Sequence, residues 1–262
     1  MPGLIISPRV LDTPCLDNMK RMSKYSIAIF ALLLILTNSC KDTFEGSGPM
    51  VTLSRPISNF TRVSLYNNVN LVIAYDTTCS LLVEAPENWM DKISTEVING
   101  ALIIKNKQKA LWLKDPDKKI TVTIHVPFLD GIDYEATGTI TTIEKRIIAG
   151  DFTLNVIDGA GSIHLMLAAT NVYLNTRNGV SDVNVKGHTQ NLYIYSDAVS
   201  PIDCVQFYSE NTKVVSKGTN NCSVVAMKKL DVNISSKGNV YYYGDPDTIL
   251  STITGEGKLI KL

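Results

Sequence analysis

Four turns in the second half of the chain carry acidic or amide residues at matching positions. Glu135, Asp158, Asn178 and Asp197 each stand five residues before an aliphatic residue, namely Ile140, Ile163, Val183 and Ile202. If these turns stack on successive coils ~4.8 Å apart, Asp158 and Asp197 come within about 10 Å of each other. Carboxylates arranged in this way hold Ca²⁺, or act as acid and base in polysaccharide cleavage. The same residue types also start turns because their side chains cap the local backbone. The column contains no Arg or Lys before Lys217, so its chemistry stays open between these two readings. Tyrosines give a second candidate surface. Tyr173, Tyr193 and Tyr195 face outward if Leu174, Leu192 and Ile194 face in, and Tyr241 and Tyr243 face outward if Val240 and Tyr242 face in. Exposed aromatic rows bind sugar rings or protein partners, although sheets favour tyrosine in any case.

Other chemistries find no support. His125, His164 and His188 lack the spacing of a zinc motif, and no Gly-x-Ser-x-Gly nucleophile elbow is present. Gly159-x-Gly161 and Gly255-x-Gly257 open no helix and so read as turns, not dinucleotide loops. No catalytic residue, metal or cofactor is therefore assigned. The chain has 25 Lys+Arg against 25 Asp+Glu, and that zero balance argues against a nucleic-acid partner, which needs basic excess to release counterions. With 45% hydrophobic and 19% charged residues it is too apolar for a disordered chain.

The elements that must position these residues begin after an address. Lys20, Arg21 and Lys24 precede the apolar run 27–36, which is about half the roughly 20 residues needed to span a bilayer. Thr37-Asn38-Ser39-Cys40 follows. Residues 1–39 thus read as a secretory signal peptide with an over-extended start, translation beginning at Met19 or Met22. Cys40 reads as the lipidated cysteine of a bacterial lipoprotein, although Thr37 stands where Leu is common, and residues 40–50 form the tether. The acyl groups would bury many methylenes at ~0.8 kcal/mol each and fix the chain to a membrane. The expected location is the outer membrane, with the face left open. Cys79, Cys204 and Cys222 sit in strand-like runs and read as small buried hydrophobes.

Residues 51–262 show strand alternation almost throughout and no sustained helical period, apart from a weak turn near Glu87–Asp91. From about residue 129 the turns repeat. Ile140, Ile163, Val183, Ile202, Cys222, Val240 and Leu259 end seven similar turns, at intervals of 23, 20, 19, 20, 18 and 19 residues. A step near 20 residues suits one rung of a β-solenoid. A β-sandwich has strands of similar spacing but does not require the turn itself to recur. The fold predicted is an all-β, single-chain β-solenoid, with residues 51–128 as degenerate rungs or a cap. Uncovered edge strands would favour a homo-oligomer.

These turns look like worn copies of a Ser-Gly-Ser-Gly-x-apolar repeat. With Arg55, Phe60, Val63–Leu65, Val69–Ile73, Glu84–Asn88, Asn99–Ile104, Val126-Pro127-Phe128-Leu129 and Val240–Pro246, the chain resembles the auto-transporter adhesin, head GIN domain family of bacterial envelope proteins. Ser181, Ser200 and Asn220 depart from the repeat where it has its second Gly. The resemblance implies an envelope-attached, solenoid-like protein without established catalytic residues. A non-enzymatic adhesin-like role toward a glycan or protein follows from it. The rival readings are a degenerate polysaccharide lyase or hydrolase built on the Asp158 column, or a structural envelope protein.

Overall fold

The computed structural model describes residues 46–107 and 117–262. The proposed signal peptide, Cys40 and most of the tether lie outside the described residues. From Ser47 onward the described chain forms one unit, built as a single sheet of 17 strands. The strands are β1 (Met50–Ser54), β2 (Arg62–Asn67), β3 (Asn70–Tyr75), β4 (Ser80–Pro86), β5 (Ile93–Ile98), β6 (Ala101–Asn106), β7 (Thr121–Val126), β8 (Gly131–Ala136) and β9 (Ile140–Ile143). They continue as β10 (Ile147–Ile157), β11 (Ser162–Arg177), β12 (Asp182–Asp197), β13 (Ile202–Ser216), β14 (Cys222–Ile234), β15 (Val240–Tyr243), β16 (Thr248–Ile253) and β17 (Leu259–Lys261).

The repeat read from the sequence is a repeat in space. Ile140, Ile163, Val183, Ile202, Cys222, Val240 and Leu259 pair one to the next in parallel register, forming a single file up the solenoid. A second inward file, on the opposite face, runs Ile132, Leu154, Leu174, Ile194, Val214 and Val232. Except for the partly buried Leu259, members of both files are at most 2% exposed. Alternation puts every second residue of a strand on one face, and parallel stacking joins those faces into one core. Each such Leu, Ile or Val stabilises by roughly 1.5–3 kcal/mol when fully buried.

Strands β11, β12 and β13 cross from one face to the other. They bend at Thr170, Gln190 and Glu210, where the ladder skips a residue. Side chains take over where the ladder fails. Thr189 Oγ1 donates to the carbonyls of Thr170 (2.9 Å) and Asn191 (3.1 Å), and Ser209 Oγ donates to that of Val225 (2.7 Å). Just past the bend Asp151, Asn171, Asn191 and Asn211 form an amide ladder. Each Nδ2 donates to the Oδ1 one rung below, at 2.7, 2.8 and 3.0 Å. This fixes the register of four rungs where the backbone ladder skips a residue.

The first half of the domain contains both rungs and a cap, in an order the chain does not follow. The β2–β3 rung lies between the β6–β7 rung and the β8–β9 rung, because β2 pairs in parallel with β6 and β8, and β3 with β7 and β9. Beyond β6 and β7 the pairing turns antiparallel: β5 on β6, β4 on β7, and β1 on β4. The predicted turn near residue 87 is a 3-10 turn, Glu87–Lys92, passing from β4 on one face to β5 on the other.

One inward file changes character along the solenoid. It runs Tyr134, Val156, Thr176, Ser196, Ser216 and Ile234. Near Tyr134 the turns must be glycine, since a Cβ on Gly161 would lie 2.2 Å from both the Tyr134 hydroxyl and the Gly138 carbonyl. Where the file shrinks to Thr and Ser, Ser181 and Ser200 replace glycine and are themselves buried. The departures from the repeat are thus matched in volume by the smaller residues opposite.

Tyr134 is fully buried and its hydroxyl donates to the Gly138 carbonyl. Burial pushes its phenol up to about 12, opposed by a hydrogen bond from the Gly161 amide. Burial likewise pushes the Cys222 thiol up to about 12, and lifts the neighbouring Cys204 thiol as well. Cys204 and Cys222 are buried free thiols, as the sequence suggests, whereas Cys79 is only partly buried. The unfolded chain loses these protons first, near pH 8.5 for thiols and about 10 for phenol. Stability is therefore full below pH ~8.5 and falls as pH rises toward 12. Urea midpoints at pH 8, 10 and 11 should decline, and Cys222→Ala with Tyr134→Phe should flatten that decline. An unchanged slope in the double variant would assign the alkaline loss to other groups.

Candidate binding groove

The structure divides the predicted acidic column. In-register stacking continues Glu135 (β8) through Ile157 and Arg177 to Asp197, whereas Asp158 stands level with Asn178 one residue further on. The reason lies in the turns. Five residues separate Arg177 from Val183, but four separate Asp197 from Ile202. Counting back from the aliphatic file therefore misaligns rungs whose turns differ by one residue. Asp158 and Asn178 hold positive φ, 53° and 55°, a conformation that Asn and Asp tolerate better than other side chains. Asp197 accepts from the Tyr195 hydroxyl at 3.2 Å and stands beside Arg177. Among the described residues, no three His, Cys, Asp or Glu side chains come together in a way that could hold a metal ion.

The tyrosines face outward as the alternation predicts, but on two surfaces. Tyr173 and Tyr193 lie in one file of the face lined by β10 and the second halves of β11–β13, with Tyr195 in the adjacent file. Tyr241 and Tyr243 belong to the opposite face, paired with Ser223 and Val225 of β14. The Tyr173 and Tyr193 rings stack on each other, 4.9 Å apart and 9° from parallel. Each ring thus covers one face of the other. Arg177 and Lys217 flank the Tyr195 ring at 5.9 and 5.2 Å. This set stabilises the sheet by rung-to-rung contact, with Tyr193 still 38% exposed.

The concave surface is elsewhere, along the bend. One cavity of about 460 Å³ is lined by Ala149, Ala168 and Ala169 together with Thr170, Gln190, Glu210 and Met227. A second, of about 350 Å³, is lined by Arg146, Met166, Lys186, Gly187 and Gln206. His188 and Tyr208 line both, so the two read as one groove. It crosses rungs β10 to β14, four steps of ~4.8 Å. Its inner wall is the outward file Ala168, His188 and Tyr208. Ala168 in this file, with Ala149 and Ala169 in the next, keeps the groove open, while Tyr208 at 58% and Met227 at 50% exposure stand clear of the surface. The Arg146 guanidinium donates to His188 Nδ1 at 3.2 Å. Glu210 on the outer wall is engaged by Lys228 at 2.8 Å. None of the acidic or tyrosine residues singled out in the sequence lines this groove.

A β-solenoid with an antiparallel cap is a fold represented among solved structures. A crystal structure described as a putative adhesin from Bacteroides fragilis superposes with a TM-score of 0.76 at 20% identity, covering 82% of this chain and 97% of the other. A putative adhesin from Parabacteroides distasonis gives 0.60 at 17% identity, with 83% and 98% covered. A structure from the same organism described as a putative lipid binding protein gives 0.60 at 19%, again covering 83% and 98%. At these identities the likeness is one of fold. The family follows from sequence: a model of the "Putative auto-transporter adhesin, head GIN domain" family matches residues 59–246, and the chain belongs to that family. No curated protein matches.

Proposed function

We infer that this protein is a cell-envelope lipoprotein, anchored to the outer membrane through Cys40, whose solenoid is a non-enzymatic adhesin-like head for a glycan or protein partner. The observation that carries this reading is the groove along the bend. It is long, open, crosses five strands, and presents the well-exposed Tyr208 and Met227 above a floor of small residues. Membership of an adhesin-head family points the same way. A lyase or hydrolase would require carboxylates converging on a cleft, and the stacking register splits Asp158 from Asp197.

Two measurements test this. Palmitate labelling in cells should mark the chain and be lost in Cys40→Ala. A glycan array probed with the detergent-solubilised chain should show retention that falls at least tenfold in Tyr208→Ala. Release of unsaturated products from acidic polysaccharides, abolished by Asp158→Ala, would replace the binding reading with an enzymatic one.

A further inference from the structure

The occupant of the groove can be specified further from its charge and from the direction in which it runs. On the side toward the first halves of β11–β13 the groove gathers three nitrogen-bearing side chains, Arg146, Lys186 and His188, all exposed. They come from different rungs: Arg146 from the segment leading into β10, Lys186 and His188 from β12. No carboxylate among the described residues pairs with Arg146 or Lys186. Their charges are therefore uncompensated within the groove. The one carboxylate lining it, Glu210, is held by Lys228. The Arg146–His188 contact is also informative. A guanidinium only donates, so His188 Nδ1 accepts, and its ring positions the Arg146 fork toward the groove.

The remaining chemistry is that of a sugar-binding surface. Tyr208 offers a ring on which no other aromatic ring among the described residues stacks, unlike Tyr173 and Tyr193. It lies beside His188 in register, one rung from the basic cluster. Gln190, Gln206 and Thr170 add amide and hydroxyl groups along the walls. The direction of the groove argues against a peptide taken up by strand addition. That mode needs a free backbone edge, and strands β11–β13 have parallel neighbours on both sides, β13 parting from β14 over the bulge 204–207.

We propose that the groove binds an anionic saccharide, one acidic group seated between Arg146 and Lys186 and a neighbouring sugar ring lying on Tyr208. The proposal rests on the binding reading above and adds the ligand class. Carboxylate and sulfate share the chemistry of an oxyanion facing a guanidinium and an ammonium, and the experiment separates them.

The test is calorimetric titration of the detergent-solubilised full chain with four probes. These are a galacturonic acid tetrasaccharide, its fully methyl-esterified and uncharged form, a heparin-derived sulfated tetrasaccharide, and tetraglutamate. At least one acidic saccharide should bind, at least tenfold more tightly than the neutral ester and than tetraglutamate. Heparin carries carboxylates as well as sulfates, so binding of galacturonate assigns the group as carboxylate and binding of the heparin fragment alone assigns it as sulfate. Arg146→Gln with Lys186→Gln should weaken the acidic saccharide at least tenfold, and Tyr208→Ala should do so separately. These side chains are exposed, so far-ultraviolet circular dichroism and urea midpoints should not move. Failure of both acidic saccharides to bind overturns the proposal, as does equal binding of tetraglutamate. Equal binding of the neutral ester that still depends on Tyr208 overturns the charge assignment while leaving the groove as a binding surface. Array retention indifferent to Tyr208→Ala would bring down the groove reading itself.

Discussion

Replacing Gly187 by alanine should cost on the order of 4 kcal/mol, combining a strained backbone with a steric collision. Gly187 adopts φ +120°, a conformation that L side chains rarely enter, and a Cβ there would stand 1.9 Å from the carbonyl oxygen of Leu167 on the rung below. That oxygen belongs to the backbone of a paired strand and cannot swing aside. Gly187 pairs with Leu167 on one side and Phe207 on the other, and both of those side chains are fully buried. The natural control lies on the same bend. A Cβ on Gly150 meets nothing within 4 Å and needs no positive φ, so Gly150→Ala should shift stability by no more than about 0.5 kcal/mol. Urea unfolding followed by near-ultraviolet circular dichroism distinguishes the two. A Gly187→Ala midpoint equal to that of Gly150→Ala would mean that the bend relaxes freely, and that the groove wall is softer than its packing indicates.

How much could be read in advance depends on where the information is local. The aliphatic file from Ile140 to Leu259 was legible because each of its residues comes after a recognisable turn, and parallel stacking keeps such positions together. The inward and outward assignments of Leu174, Ile194, Tyr193 and Tyr242 came from alternation alone. The order of the first rungs was hidden, since nothing near β2 in sequence states that it will sit between β6 and β8. The acidic column failed by a single residue, because a deletion inside a turn shifts the residues before that turn and spares those after it. The groove was missed because Arg146, His188 and Tyr208 share no motif and meet only through register. A signal for the bend was nevertheless present: Asp151, Asn171, Asn191 and Asn211 recur at 20-residue steps, interrupting each apolar run where the strand turns.

Loss of the Trp89 side chain should open the solenoid at its capped end. Trp89 is 1% exposed and sits in the 3-10 turn that passes from β4 on one face to β5 on the other, over the end of the core. Arg55 binds that turn from β1's side of the cap. Its guanidinium donates to the carbonyls of Met90 (2.9 Å) and Ile93 (2.6 Å) and to Thr95 Oγ1 (3.1 Å), and partial burial lowers its pKa. Trp89→Ala removes the largest side chain of the cap and should cost about 3–5 kcal/mol. For a domain of this size that corresponds to a drop in Tm on the order of 10 °C. Arg55→Ala, which leaves two carbonyls without their donor, should cost about 1–3 kcal/mol. A solenoid also needs its ends covered to stay soluble. The far end has only β16 and β17, with Ile249, Leu250 and Ile253 exposed. A chain that also loses its antiparallel cap presents strand edges at both ends, and such edges pair with other copies. Size-exclusion chromatography of Trp89→Ala below its melting temperature should accordingly show high-molecular-weight species absent from Gly187→Ala, whose defect lies mid-solenoid. A monomeric Trp89→Ala protein melting within about 3 °C of the parent, well under the drop expected for this loss, would instead assign the cap to β1, β4 and β5 alone.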